Sequence, residues 1–90
     1  MNIIEVLSQR HAIPLILAVG DKPGQVVRAL ITDDKNHPSR TLFIRLQELQ
    51  EAGLVMRAAD VVRGTPVSRV NLTAKGEDVY RLLCVIRGMS

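Results

Sequence analysis

Between Arg40 and Thr73 the sequence changes its hydrophobic period twice, and this succession constrains the fold more than any other feature of the chain. The segment RTLFIRLQELQEAG returns Leu42, Leu46, Leu49 and Ala52 to one side at helical spacing. Ser39 provides an N-cap and Gly53 a stop, so a helix is expected over roughly residues 39–53. Two β-favouring runs follow, Leu54 to Ala59 and Val67 to Leu72, joined through VVRGTP, whose Gly64 and Pro66 mark a turn. Thr73 then caps a new helix, AKGEDVYRLLCVIRG, with Glu77 and Asp78 near its positive end and Arg87 near its negative end.

At 100° per residue each side chain of the first helix has a predictable direction. With Leu46 at zero, Phe43 lies near 60°, Gln47 near 100°, Arg40 near 120° and Ile44 near 160°. These four occupy the flank and far side of the helix. The first two turns carry no acid, while Glu48 and Glu51 stand in the second half. Such polarity suits a helix inserted by its N-terminal end into a DNA major groove. An ordinary surface helix with a leucine stripe would look similar, except that Ile44 points away from the core and wants a thymine methyl or another protein.

The hairpin supplies a charge signal. From Val55 to Lys75 the chain carries Arg57, Arg63, Arg69 and Lys75 against one acid, Asp60, a local excess equal to the formal net charge of +3 for the whole chain. A cationic hairpin on an otherwise neutral domain is the footprint of phosphate contact, although arginines also serve solubility and edge protection. Helix, stop, basic hairpin and helix together predict a mainly α fold with a small β-hairpin, a winged helix-turn-helix, with a recognition helix at about 39–52 and a basic wing at 57–69.

The rest of the chain reads as support. Ninety residues make one small domain, and 47% are hydrophobic. Phe43 and Tyr80 are the only aromatic residues, so aromatic platforms for single-stranded nucleic acid are absent. One cysteine and no secretory segment point to a reduced, intracellular protein, and the DNA-binding reading to a cytoplasmic, nucleoid-associated one. The longest apolar run, Ala12 to Val19, is far too short to span a membrane. Ile3 to Arg10 reads as a helix, Ala12 to Val19 as a second segment continuing or kinked at Pro14, and Gly20 as its end. DKPG is a turn leading toward a minimal strand or directly into a helix, QVVRALI, with Val26, Val27, Leu30 and Ile31 inward. TDDKNHP is the turn of the helix-turn-helix. In the last helix Val79, Leu82, Leu83 and Ile86 form the inward stripe. The chain ends, about residues 1–19 and 77–90, carry surplus apolar residues, which predicts a homodimer joint at Ile3, Ile4, Leu7, Tyr80, Cys84 and Val85.

RTLFIRLQELQEAGLV, the basic hairpin and RVNLTAKGEDVYRLL resemble the winged-helix regulators of the HxlR type, and more loosely the MarR and PadR types. In those proteins a helix patterned Leu-x-x-x-Leu-x-x-Leu-x-x-x-Gly-Leu reads the groove, and the strand closing the wing ends in Leu-Thr-x-x-Gly. Here the patterns fall on Leu42, Leu46, Leu49, Gly53 and Leu54, then on Leu72, Thr73 and Gly76. The resemblance spans about residues 10–85 and rests mostly on core and cap positions, so it implies the fold more than the target. Phe43 and Ile44 stand where the family usually has polar residues. The N-terminal cysteine used for redox sensing in some members is missing, so no such role passes to Cys84.

Catalysis finds no support. No nucleophile-base set or phosphate-cradling glycine loop is present, and His11 and His37 lack ligand spacing with Cys84. Asp33, Asp34 and His37 read as a solvated turn rather than a metal site, Cys84 reads as a packed thiol, and no cofactor is expected. A domain of this size leaves little room for an effector pocket. The expectation is a homodimeric transcriptional regulator on an inverted repeat of double-stranded DNA. Arg40, Phe43, Ile44 and Gln47 would meet base edges, and Lys35, Ser39, Thr41, Arg57, Arg63 and Arg69 the phosphates. The alternative is a protein-interaction module docking through Phe43 and Ile44.

Overall fold

Three positions in the sequence that read as chain stops or turns, Gly20, Gly53 and Gly64, are used in three different ways. The computed structural model describes residues 2–32 and 39–89. Within them the order is α1 (Ile3–Leu7), α2 (Ala12–Asp21), β1 (Gln25–Val26), α3 (Val27–Thr32), α4 (Ser39–Glu51), β2 (Val55–Val62), β3 (Thr65–Leu72) and α5 (Ala74–Gly88). The strands form one antiparallel sheet in the order β1-β3-β2.

α1 is shorter than expected. Asn2 caps it by accepting from the Glu5 N–H at 2.9 Å, and Ser8 ends it by donating its hydroxyl to the Ile4 carbonyl. His11 then takes a left-handed φ of 69° before α2 begins. Pro14 falls in the first turn of α2, where its missing N–H has no intrahelical partner to lose, so it neither kinks nor breaks the helix. Gly20 does not end α2, which continues to Asp21. The Tyr80 ring packs so closely on Gly20 that a Cβ there would overlap it.

Gln25 and Val26, expected as the start of a helix, instead form β1. Gln25 pairs with Val70 and Val26 with Arg69, while the Gly24 N–H donates to the Val70 carbonyl at 3.2 Å. The sheet is therefore three-stranded, and α3 begins only at Val27. Val27, Leu30 and Ile31 are buried as expected, and Val26 is half-buried in the sheet. The turn of the helix-turn-helix, with Lys35, Asp33, Asp34 and His37, lies outside the described residues.

Gly53, at φ 78°, closes α4 in the left-handed conformation. Its N–H donates to the Gln50 carbonyl and that of Leu54 to the Leu49 carbonyl, both at 3.0 Å, which is the paired arrangement of a Schellman cap. Leu49 and Leu54 are both fully buried at this corner. The next element locks onto it. The Thr73 N–H reaches the Leu54 carbonyl, the Thr73 hydroxyl accepts from the Gly76 N–H at 3.0 Å, and Gly76 lies so close to that carbonyl that a Cβ would overlap it. The Leu54, Leu72, Thr73 and Gly76 pattern is thus a docking corner between the end of α4 and the start of α5.

The core gathers Ile16 and Val19 of α2, Leu42, Leu46 and Leu49 of α4, Val55 and Val70 of the sheet and Leu83 of α5. Every one is aliphatic, as the scarcity of aromatic residues requires. None of the buried side chains among the described residues is polar or charged.

Candidate nucleic-acid interface

Burying Leu42, Leu46 and Leu49 orients α4 and turns the opposite side of the helix to solvent. Arg40 and Gln47 are exposed, Phe43 is 43% and Ile44 42% accessible, and the first turn holds no acid. Ser39 is exposed and Thr41 half-buried. Ser39 is the first helical residue rather than the cap, and the position before it lies outside the described residues.

Arg45 escaped the sequence reading. Its Nε donates to the Arg10 carbonyl at 2.8 Å, and Nη1 reaches both Glu48 carboxylate oxygens at 2.8 and 2.9 Å and Gln9 Oε1 at 3.4 Å. It ties α4 to the junction between α1 and α2. The i, i+3 pairing of Arg45 with Glu48 was visible in the sequence, but the distant carbonyl was not. Glu48 is thereby neutralised, which keeps the exposed face of α4 free of one of its two acids.

The hairpin is longer and its turn tighter than expected. Strands β2 and β3 pair without interruption from Val55↔Leu72 to Val62↔Thr65, leaving a two-residue turn of Arg63 and Gly64. Both are left-handed, φ 52° and 79°, as a type I′ turn demands. Pro66 belongs to β3, opposite Val61. Alternation makes that pair non-hydrogen-bonded, and β1 does not extend this far, so the missing N–H costs no ladder bond.

Register separates the wing arginines. Arg57 pairs with Val70 and Arg69 with Ala58, so the two project from opposite faces of the sheet. Arg57 shares the face of the buried Val55 and Val70 and reaches α4. Its Nε donates to Gln50 Oε1 at 2.6 Å, and its guanidinium lies over the Phe43 ring, 5.4 Å from the centroid. Arg69 turns the other way, donating from Nε to Asp60 Oδ2 at 2.6 Å and from Nη1 to the Gly24 carbonyl at 2.8 Å. Arg69 holds the Asp60 carboxyl below the usual carboxylate range, helped by the Val61 N–H. Arg69 is therefore a brace between the wing and the β1 turn. Arg63 stands exposed at the tip, and Lys75 donates to the Ala52 carbonyl at the C-terminal end of α4, where a cation suits the helix dipole.

The expected dimer residues divide. Ile3, Leu7 and Tyr80 are half-buried against the chain's own core, and Ile4 and Val85 are exposed. Tyr80 donates its hydroxyl to Asp21 Oδ1 at 2.6 Å, Arg87 donates to both Asp21 oxygens at 2.9 and 3.0 Å, and Arg87 also donates to Cys84 Sγ at 3.5 Å. Cys84 is half-buried beside this cluster. The inward stripe of α5 must be corrected: Leu83 is buried and Val79 packs on the core, but Leu82 and Ile86 are 67% and 61% accessible. Contacts of Gly76 with Leu54 and of Tyr80 with Gly20 rotate the helix. As a result Leu82, Val85, Ile86 and Met89 share an exposed arc about 100° wide.

A cleft of about 280 Å³ opens beside Tyr80, lined by Val19, Gly20, Leu72, Glu77 and Arg81 among others. It falls just under the usual range for small-molecule sites, about 300–1,000 Å³. No group of three potential metal ligands occurs among the described residues, and none of their helices is long and apolar enough to cross a membrane.

No protein-family model matches the chain, and no curated protein sequence does either. Solved structures do match. The transcriptional regulator SlyA superposes with a TM-score of 0.79 at 20% identity, over 96% of this chain and 59% of its own. A possible HxlR family transcriptional factor from Thermoplasma volcanium superposes with a TM-score of 0.74 at 22% identity, over 97% and 80% of the two chains. Streptococcus pneumoniae FabT in complex with DNA superposes with a TM-score of 0.74 at 17% identity, over 96% and 63%. The chain thus spans less than two thirds of SlyA and of FabT. The likeness establishes the winged-helix fold that MarR- and HxlR-type regulators share.

Proposed function

We propose that this chain binds double-stranded DNA sequence-specifically as a homodimeric transcriptional regulator, with α4 in the major groove and the β2–β3 wing on the backbone. One observation carries the reading. α4 exposes Arg40, Phe43, Ile44 and Gln47 on the side opposite its buried leucines, and Arg57 joins that exposed side to the wing whose tip bears Arg63. Recognition groups and phosphate-binding charge therefore belong to one connected surface. Arg63 strengthens the case, because an L-residue other than Asn, Asp or Gly in the left-handed region costs about 1 kcal/mol or more. A glycine or asparagine would make the same turn more cheaply, so the charge stands there at the expense of stability. Ser39 and Thr41 supply further phosphate donors at the start of α4.

The solved relatives are transcriptional regulators, and FabT is described with DNA bound. Regulation by binding involves no catalytic step, and a chromosomal target places the protein in the cytoplasm at the nucleoid. Two copies, joined through Leu82, Val85, Ile86 and Met89 of α5 with Ile4 contributing, would present two α4 helices to successive major grooves about 34 Å apart.

A salt titration of binding to duplex DNA tests this. The logarithm of affinity should fall linearly with the logarithm of salt concentration, with a slope of about −0.9 per phosphate neutralised. A selected duplex should also outcompete a scrambled one. Affinity indifferent to salt, or no duplex binding, would reject the proposal.

A further inference from the structure

The exposed apolar pair on α4 has an arrangement that names its ligand. We propose, resting on the DNA-binding reading above, that Ile44 and Phe43 read thymine methyl groups, so that each half-site contains thymine at the base steps they face. The C5-methyl of thymine is the one apolar group on the major-groove edge of the bases.

From Arg40 to Gln47 the exposed residues of α4 run, around the helix, Phe43, Gln47, Arg40, Ile44, at about 60°, 100°, 120° and 160° from Leu46; its other exposed residues, Ser39, Gln50 and Glu51, lie at the two ends of the helix. Apolar side chains flank the arc and polar ones fill it. A protein-docking surface has the reverse plan, an apolar centre inside a polar rim, and needs about 800 Å² on each partner. A groove edge alternates methyl groups with hydrogen-bond donors and acceptors at the spacing of single bases, which suits this interleaving. Gln47 can pair bidentately with adenine and Arg40 with guanine, leaving the methyl contacts to the two apolar side chains.

Phe43 is also held in place. The Arg57 guanidinium lies over its ring and is itself anchored on Gln50 Oε1. The ring is thus oriented by a cation before any ligand arrives, and that cation favours a polyanion over an apolar partner.

The test uses the 90-residue chain and a duplex selected from a randomised pool. Each thymine of the selected site is replaced in turn by deoxyuridine, which removes the methyl and keeps every hydrogen-bonding group. At one or two positions per half-site affinity should fall about fourfold, the worth of one buried methyl-sized group. Ile44→Ala should bind less tightly and lose its sensitivity to deoxyuridine at one of those positions. Phe43→Leu should alter sensitivity at the neighbouring one. The wild-type deoxyuridine series stands alone should either variant fail to fold. Insensitivity at every thymine, with salt-dependent duplex binding intact, would overturn the methyl reading and leave DNA binding standing. Absence of salt-dependent binding would overturn both and turn Phe43 and Ile44 into a protein-docking pair.

Discussion

Arg57 and Arg69 occupy neighbouring rungs of one antiparallel ladder and leave it on opposite faces. Arg57 goes to α4 and the Phe43 ring, Arg69 to Asp60 and the Gly24 carbonyl. Two arginines that look equivalent in a basic hairpin therefore have different tasks, and the wing's freely presented charge is that of Arg63.

Replacing Arg63 should weaken binding to every duplex alike and reduce the magnitude of the salt slope by about one. Arg63→Asn is the cleaner variant, since asparagine tolerates the left-handed turn and should leave the melting temperature unchanged or raised. Arg69→Ala should lower thermal stability with little change of slope. Fluorescence anisotropy across a salt series, with a melting curve for each variant, decides between these patterns. An unchanged slope in Arg63→Asn removes the wing tip from the interface.

Arg40→Ala should cost about 1–3 kcal/mol on a selected site and relax preference at one base pair, through loss of a bidentate contact to guanine. Non-specific affinity should fall far less. Competition between the selected site and single-base variants measures both.

Leu82→Glu or Val85→Glu on the exposed arc of α5 should yield monomers that keep salt-dependent affinity but lose preference for an inverted repeat. Leu82 is the sharper choice, because on the expected inward stripe a charge there would unfold the domain, whereas its exposure leaves the fold intact. Sedimentation of wild type and variant gives the masses. A wild-type chain that stays monomeric at tens of micromolar, or a dimeric Leu82→Glu, counts against the joint.

Asp21 accepts from Arg87 and Tyr80, which together lower its carboxyl to about 2, Arg87 first. The folded value lies below that of a free aspartate, about 3.9, so this contact stabilises the fold above that pH and is lost as pH falls toward 2. Tyr80, raised to about 12 by Asp21 and then Cys84, works in the other direction: its contribution is present below its free value of about 10 and lost as pH rises toward 12. Asp21 and Arg87 are exposed and Tyr80 is only half-buried, so both effects should shrink in high salt. Melting curves at low ionic strength should show Asp21→Asn declining less steeply than wild type between pH about 4 and about 2. Parallel curves would mean the cluster contributes nothing measurable.

Gly76→Ala should destabilise the domain by about 1–3 kcal/mol, since the new methyl meets the Leu54 carbonyl and the corner must open. Gly88→Ala, with open space around it, should be tolerated or mildly stabilising. Chemical denaturation of the two variants side by side checks the contrast.

Elements carrying a local signal were legible in the chain itself. Leu42, Leu46 and Leu49 set the phase of α4 because helical periodicity is a property of consecutive residues, and with it came the exposure of Arg40, Phe43, Ile44 and Gln47. Thr73 and Gly53 announced helix ends because capping is a bond between near neighbours. Decisions between distant residues were different in kind. The rotation of α5 hangs on Gly76 meeting Leu54 and Tyr80 meeting Gly20, and a helix with apolar residues on several sides offers no internal reason to choose one. Gln25 and Val26 became a strand only because β3 was there to pair with them. Arg57 and Arg69 parted because pleat and register, which belong to the paired strands rather than to either alone, assign each side chain its face.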